Sequence, residues 1–321
     1  MQIKLPEMGC GTWAWGNRLL WGYHPDMDDS LKAVFDFCVS RGITLFDTGD
    51  SYGTGRLSGQ SEKLLGQFRA AYEGENKEQI CLATKLAPYP WRLMKGSMVS
   101  AGQASSQRLG CLDLVQMHWT TANYFPWQEG PLLDGLAELC DRGLAKGVGL
   151  SNYGPKRLRW AHQRLSALGI KVQTLQVQYS LLSTYPVSEL NLKTLCDELD
   201  IQLIAYSPLA LGLLTGKYRK KSDLPNGLRK FALGQILPGV TPLLDCLQAI
   251  AEHRDKTMAQ VALNWCICKG TLPIPGAKSL WQAKQNAGAL GWSLEESEID
   301  ELEATSAACD KQMVQNIFQS R

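Results

Sequence analysis

Four side chains in this sequence could together deliver a proton to an oxygen. The run ITLFDTGDSYG (43–53) ends an apolar stretch on Asp47 and reaches Tyr52 five residues later. The run ATKL supplies Lys85, and VQMHW supplies His118, each where another apolar run stops. A phenol has a pKa of about 10, so it acts as an acid near neutrality only where neighbours stabilise its anion. A buried lysine does that by charge, and a carboxylate beside the lysine keeps the ammonium charged in a dry site. A histidine can hydrogen-bond a carbonyl oxygen as that oxygen takes its proton. Asp47, Tyr52, Lys85 and His118 are therefore the parts of a proton donor for a developing alkoxide, and the part still missing is a hydride. Each has a blander reading alone: His118 as a core histidine beside Trp119, Lys85 as a surface residue whose stem lies on apolar ground. Their concurrence carries the argument.

The elements that must bring them together are legible as an alternation. Eight strand-like runs appear in order: MGCGTW, ITLFDTG, QICLATKL, LDLVQMHW, AKGVGLSN, VQTLQVQYS, IQLIAYSPL and TLPIPGAK. Helical spacing follows each one. The patterns fall at 26–42, in SGQSEKLLGQFRAAY with Ser58 or Ser61 as cap, at 94–109, in PLLDGLAELCDRG, GPKRLRWAHQRLSALG and SELNLKTLCDELD, at 241–255 and in SLWQAKQNAGAL. Nearly continuous apolar strands with helical crossovers predict a parallel sheet covered by helices. Eight such units predict an α/β fold, the (β/α)8 TIM barrel, as a single domain over 1–321 with an extra C-terminal helix and tail. The connections 119–130 and 207–240 run longer than usual and are expected to cover substrate and cofactor. The C-terminal strand ends of such a barrel carry the site. Ser151, Asn152, Gln178, Tyr206, Ser207, Gly276 and Lys278 all fall there with the first four.

In order and spacing, FDTGDSYG, ATK, VQMHW, GVGLSNY, QVQYS, IAYSPL, LLTGKY and PIPGAK…QN resemble the motifs of the aldo-keto reductases across essentially the whole chain. That resemblance implies a barrel that binds NADP(H) in extended form and reduces aldehydes, or ketones, to alcohols. By it Tyr52 is the general acid, Lys85 its partner, Asp47 the acid that orients the lysine, and His118 the group that orients the carbonyl. Ser151, Asn152 and Gln178 would hold the nicotinamide carboxamide, and Tyr206 would stack on its ring. Ser207, Leu209, Gly216 and Lys217 would cover the pyrophosphate. Gly276, Lys278, Gln282, Gln285 and Asn286 would hold the adenosine and its 2′-phosphate. Many members carry arginine where Gln282 stands and glutamate where Gln285 stands, so Lys278 becomes the main cation for the phosphate; NADPH remains the expected cofactor, with discrimination against NADH weaker than usual in the family.

Longer stretches, among them MGCGTWAWGNRLLWGY, APYPWRL and the tail MVQNIFQSR, are similar to the pyridoxal reductase-like members of plastids and cyanobacteria. They imply pyridoxal as substrate, with broad carbonyl detoxification (methylglyoxal, aromatic aldehydes) as the runner-up. A nicotinamide-binding regulatory subunit is the reading from another class. Aromatics near the site-side loops could wall the pocket, and Trp15 and Trp119 are the expected substrate contacts.

Composition bounds the rest. Of 321 residues, 45% are hydrophobic and 20% charged, which describes an ordinary globular chain. The balance of 33 basic against 31 acidic residues gives no reason to expect nucleic acid or an anionic membrane as partner. The expected partner is a small carbonyl compound, on a monomer or weak oligomer. The start MQIKLPEMG has neither a signal-peptide nor a transit-peptide pattern, which suggests the cytoplasm, or the plastid stroma for a mature chain. Ten cysteines are scattered, and even Cys266 and Cys268 lack a partner pair at zinc spacing. They read as structural thiols, with no metal.

Overall fold

The computed structural model describes residues 3–55, 58–225 and 227–320. Met1, Gln2, Arg56, Leu57 and Arg321 of the expected domain, and Asn226 of its longest connection, lie outside the described residues. Eight strands run in parallel, in sequence order: β1 (Cys10–Gly11), β2 (Leu45–Asp47), β3 (Cys81–Leu86), β4 (Leu114–Met117), β5 (Gly147–Ser151), β6 (Val172–Gln178), β7 (Gln202–Tyr206) and β8 (Leu272–Pro273). A parallel bridge between Gly11 and Gly276 closes the ring, with Gly9 N donating to Pro273 O at 3.0 Å and Gly11 N to Pro275 O at 3.1 Å. A Cβ on Gly11 would stand 2.8 Å from Ile274 O, so the closure needs glycine there. The expected TIM barrel is the fold.

Side-chain alternation along the strands sorts residues into two environments. Phe46, Leu82, Val115, Met117, Leu175 and Val177 point outward into the core between barrel and helices. Leu45, Cys81, Ala83, Leu114, Ile204 and Ile274 point inward and form a separate apolar plug. One or two pleats further along, the inward positions turn polar: Asp47, Lys85, Gln116, Thr174 and Gln176. The chemistry therefore sits on an apolar floor.

The helices follow their patterns. Helix Asp28–Ser40 buries Leu31, Val34, Phe35, Cys38 and Val39 on one face, has Asp28 and Asp29 in its first turn, and is followed by Gly42 at φ +76°. Phe35 stacks on Phe46 of β2 with ring centres 4.4 Å apart. Two expectations need correction, and one helix adds to the predicted alternation. Helix Gln60–Ala71 is preceded by Gly59 with no side-chain cap; Ser61 is buried instead among Thr12 and Thr48. The pattern SELNLKTLCDELD splits into Tyr185–Ser188 and Leu192–Glu198 around Asn191 at φ +50°. A helix at Met258–Cys268 stands between helix 241–253 and β8. It is apolar nearly all round and therefore shows no single face. The long segment after β7 holds the 3-10 turns Ala210–Thr215 and Lys221–Asp223 and helix Leu228–Ile236. The expected C-terminal helix is Glu296–Ala307, and its tail folds back over the C-terminal ends of the strands.

Candidate active site

β2 ends on Asp47, and its neighbour β3 carries Lys85 two register steps past the partner of Asp47. Both side chains are buried, and Lys85 Nζ donates to Asp47 Oδ2 at 2.5 Å and to Thr48 O at 2.9 Å. Gln176 Nε2 and Gln116 Nε2 donate to the other carboxylate oxygen at 2.8 and 3.1 Å. Burial alone would lower the lysine's pKa. The Asp47 charge, with contributions from Tyr52, more than offsets it and holds Lys85 above its ordinary value. The ammonium lies 4.9 Å from the centre of the Tyr52 ring. Burial pushes the Tyr52 phenol up, and Lys85 opposes that shift without overcoming it. Desolvation outweighs the lysine, so the phenol stays protonated at neutral pH.

The His118 ring stands 5.9 Å from the Tyr52 ring, edge to face. Burial, then the Lys85 charge, hold its pKa well below the usual value, so the imidazole is neutral. Its Nδ1 is buried without a hydrogen-bond partner. A protonated phenol, an ammonium beside it and a neutral imidazole share one wall of a cavity of about 690 Å³. An oxygen set between the two rings could take a proton from the phenol.

The cavity continues away from this corner. Ser151, Asn152 and Tyr206 line it, and the Tyr206 hydroxyl donates to Asn152 Oδ1 at 2.8 Å. Asn152 Nδ2 in turn donates to His118 O and Ser151 Oγ, both at 3.1 Å. Asn152, Ser207, Ala210 and Leu211 have φ of +62°, +52°, +48° and +55°. Non-glycine residues held in this left-handed region cluster at functional sites. Ser207, Leu209 and Lys217 line the next stretch, and Gly276, Lys278, Gln282, Gln285 and Asn286 the far end. There Gln282 Oε1 accepts from Lys278 N at 2.7 Å, and Lys278 Nζ donates to Trp21 O at 3.0 Å. Trp119 lies at the mouth, its ring stacked on Phe318 with centres 4.4 Å apart.

Three predicted residues do not reach the cavity. Trp15 is fully buried, donates Nε1 to Ala277 O at 2.9 Å and packs edge-on against Phe68; it braces the segment after β8. Trp13 and Trp21, with ring centres 5.8 Å apart, line the cavity instead. Gln178 donates to Ser183 Oγ at 3.2 Å and to Val314 O at 3.1 Å, so its amide is used by a turn and the tail. Gln176, on the same side of the strand one pleat period earlier, is the glutamine at the cavity. Gly216 packs where a Cβ would stand 2.3 Å from Met258 Sδ, while its neighbours Thr215 and Lys217 face inward. The tail residues Asn316 and Phe318 also line the cavity, and Asn316 Nδ2 donates to the Tyr206 hydroxyl at 2.8 Å. The irregular tail sequence carries no period that would have placed them.

Comparison with known proteins agrees with this architecture. The aldo/keto reductase family model matches residues 7–307. Pyridoxal reductase, chloroplastic, of Arabidopsis thaliana is 52% identical over 99% of this chain and 88% of its own. An uncharacterised oxidoreductase of Mycobacterium tuberculosis is 33% identical over 93% and 88%. A crystal structure of an aldo-keto reductase from Klebsiella pneumoniae in complex with NADPH superposes with a TM-score of 0.74 at 25% identity, covering 98% of this chain and 95% of that one. This chain is an oxidoreductase that belongs to the aldo/keto reductase family.

Proposed function

We propose that the protein reduces an aldehyde to the alcohol with NADPH, that Tyr52 supplies the proton, and that pyridoxal is its substrate and pyridoxine its product. The observation that carries the reaction is the meeting of the buried Asp47–Lys85 pair with the half-buried Tyr52 and His118 at one corner of the cavity. The substrate reading leans on the 52% identity to the Arabidopsis pyridoxal reductase.

The lining suits a dinucleotide. Gly212 and Gly276 leave room for close approach, and Lys217 and Lys278 supply cations for phosphates. Ser151, Asn152 and Gln176 offer hydrogen bonds to a carboxamide beside the flat face of Tyr206. Ser207 and Leu209 lie under the same roof as Lys217, and Gln282, Gln285 and Asn286 surround the far end with Lys278. NADPH, when bound, supplies the hydride. The chain's own residues do the rest.

His118, kept neutral by burial, hydrogen-bonds the carbonyl oxygen and fixes it against the phenol. As negative charge grows on that oxygen, Tyr52 passes its proton across. An alkoxide is far more basic than a phenolate, so a phenol raised by burial is still acid enough. Lys85 then stabilises the phenolate, and Asp47 keeps Lys85 charged. Trp119 and Phe318 give the mouth a flat apolar wall on which an aromatic aldehyde can lie.

The free cysteines support a reducing compartment, the cytoplasm or plastid stroma, and we read the chain as a monomer or weak oligomer. The test is turnover of a substrate panel with NADPH. Pyridoxal should be consumed with the highest kcat/KM and yield pyridoxine. A tenfold preference for methylglyoxal or nitrobenzaldehyde would replace pyridoxal with general carbonyl removal. Tight NADPH binding without turnover of any aldehyde would refute the enzyme reading.

A further inference from the structure

Beneath the cavity corner lies a side chain that touches neither substrate space nor solvent. Gln116 stands on β4 opposite Lys85 of β3 and is fully buried. It does not line the cavity, although Gln176 does. Its Nε2 reaches Asp47 Oδ1 at 3.1 Å, beside Gln176 Nε2 at 2.8 Å, while Lys85 occupies Oδ2. Thr174 Oγ1 lies 3.5 Å from its Oε1. The barrel makes room for this layer: a Cβ on Gly149 of β5 would stand 2.2 Å from Thr174 Oγ1 and 3.0 Å from Gln116 Cγ. Burying a carboxamide inside the barrel, one pleat above Leu114 of the apolar plug, is unfavourable unless its hydrogen bonds are made. Here Nε2 is used by the Asp47 carboxylate and Oε1 accepts from Thr174.

We propose that Gln116 is a positioning residue for the proton transfer: by donating to Asp47 Oδ1 it fixes that carboxylate against Lys85, and so sets how strongly Lys85 favours the phenolate of Tyr52. Removing one donor leaves the negative charge of Asp47 less evenly shared and draws the Lys85 proton toward Oδ2. The positive charge 4.9 Å from the Tyr52 ring then weakens. Other groups facing this cluster do not compensate. The Cys10 thiol on β1 is pushed well up, by its contact with Cys38 and then by burial, and stays neutral; His118 is neutral, and Asp50 is paired with Arg92 at 2.6 Å.

The inference rests on the reading of Tyr52 as proton donor. The experiment measures, on the full-length enzyme with its nicotinamide cofactor, the pH dependence of kcat for aldehyde reduction and for the reverse alcohol oxidation. Oxidation needs the phenolate and rises with pH through its midpoint. Loss of one hydrogen bond to a charged group corresponds to about one pKa unit. Gln116→Met and Gln116→Leu should therefore move the oxidation midpoint up, by some tenths of a pH unit and less than about one, because the effect reaches the phenol only through Asp47 and Lys85, with KM for the cofactor unchanged. Gln176→Met removes the other donor; it should move the midpoint the same way and also raise KM for the cofactor, and it decides the matter should both Gln116 variants fail to fold. A lowered Tm with an unmoved midpoint would make Gln116 a packing residue and overturn the proposal. If Tyr52→Phe keeps its reductase activity, the reading of Tyr52 fails first. If Tyr52→Phe is inactive and the midpoint is unmoved, only the role of Gln116 falls.

Discussion

Replacing Lys85 by methionine separates the charge of the site from its shape. Methionine fills much of the same volume, so the packing above the apolar plug is retained, while the ammonium is lost. In the wild type that ammonium sits 4.9 Å from the Tyr52 ring centre. At an effective dielectric constant of about 20, a unit charge at this distance favours a phenolate by about 3 kcal/mol. If proton transfer limits the chemical step, that corresponds to a loss of between two and three powers of ten in kcat. Asp47 would be left buried with its two carboxamide donors but no cation, and breaking one side of a buried pair costs about 3–5 kcal/mol. The two carboxamides place the expected loss at the lower end of that range. Stopped-flow oxidation of NADPH by aldehyde gives kcat, cofactor fluorescence gives binding, and denaturant titration gives stability. The expected variant binds NADPH nearly normally, is destabilised and turns over a few hundred times more slowly. A folded Lys85→Met enzyme with more than about a tenth of wild-type kcat would refute the electrostatic argument.

Other outcomes follow from the same geometry. His118 has its pKa depressed in the fold, so the unfolded chain takes up a proton first as pH falls. This group's contribution to stability is present above about pH 6.5 and is lost as pH falls toward its folded pKa, with a slope of about 1.4 kcal/mol per pH unit that His118→Asn should abolish in pH-resolved denaturation. Lys85 is the converse case. Its raised pKa keeps its contribution intact below about pH 10.4, to be lost only as pH rises through the folded value. Trp15→Phe removes the hydrogen bond to Ala277 O and leaves that carbonyl buried; it should cost about 1–3 kcal/mol in denaturant titration without changing KM for aldehyde. Lys278→Gln should narrow the ratio of kcat/KM for NADPH over NADH by about tenfold or more, through loss of a charged hydrogen bond to phosphate; an unchanged ratio would place the discrimination elsewhere.

The strand-end ring could be read from sequence because a parallel barrel gathers the C-terminal ends of its strands into one place. Asp47, Lys85, His118, Asn152 and Tyr206 interrupt apolar runs at such ends, and the fold brings them together. Alternation also explains the misplacement of Gln178. In QVQ the two glutamines share a side of the strand, and sequence alone does not say at which one the barrel gives way to the turn. Gln116 was hidden because a single polar residue inside LVQM has no signature of its own, its meaning arising from Asp47 across two strands. Trp15 cannot be told from its neighbours by sequence, because tryptophans in the loop after β1 look alike until packing buries one and leaves Trp13 and Trp21 at the cavity. The tail after Ala307 has neither helical nor strand period. Its place over Tyr206 depends on tertiary contacts such as Asn316 to Tyr206 and Ser320 N to Asn152 O, which only the folded chain contains.

The central claim is that Tyr52 hands the carbonyl oxygen its proton, and Tyr52→Phe tests it most directly. Phenylalanine keeps the ring against His118 and removes only the hydroxyl. With NADPH and pyridoxal, the variant should bind the cofactor with unchanged affinity, and pyridoxine formation should fall by about 10²–10⁴, the usual worth of a general acid. Pyridoxine formation within about tenfold of wild type, at unchanged cofactor affinity, would contradict the claim and move the proton donor to another group.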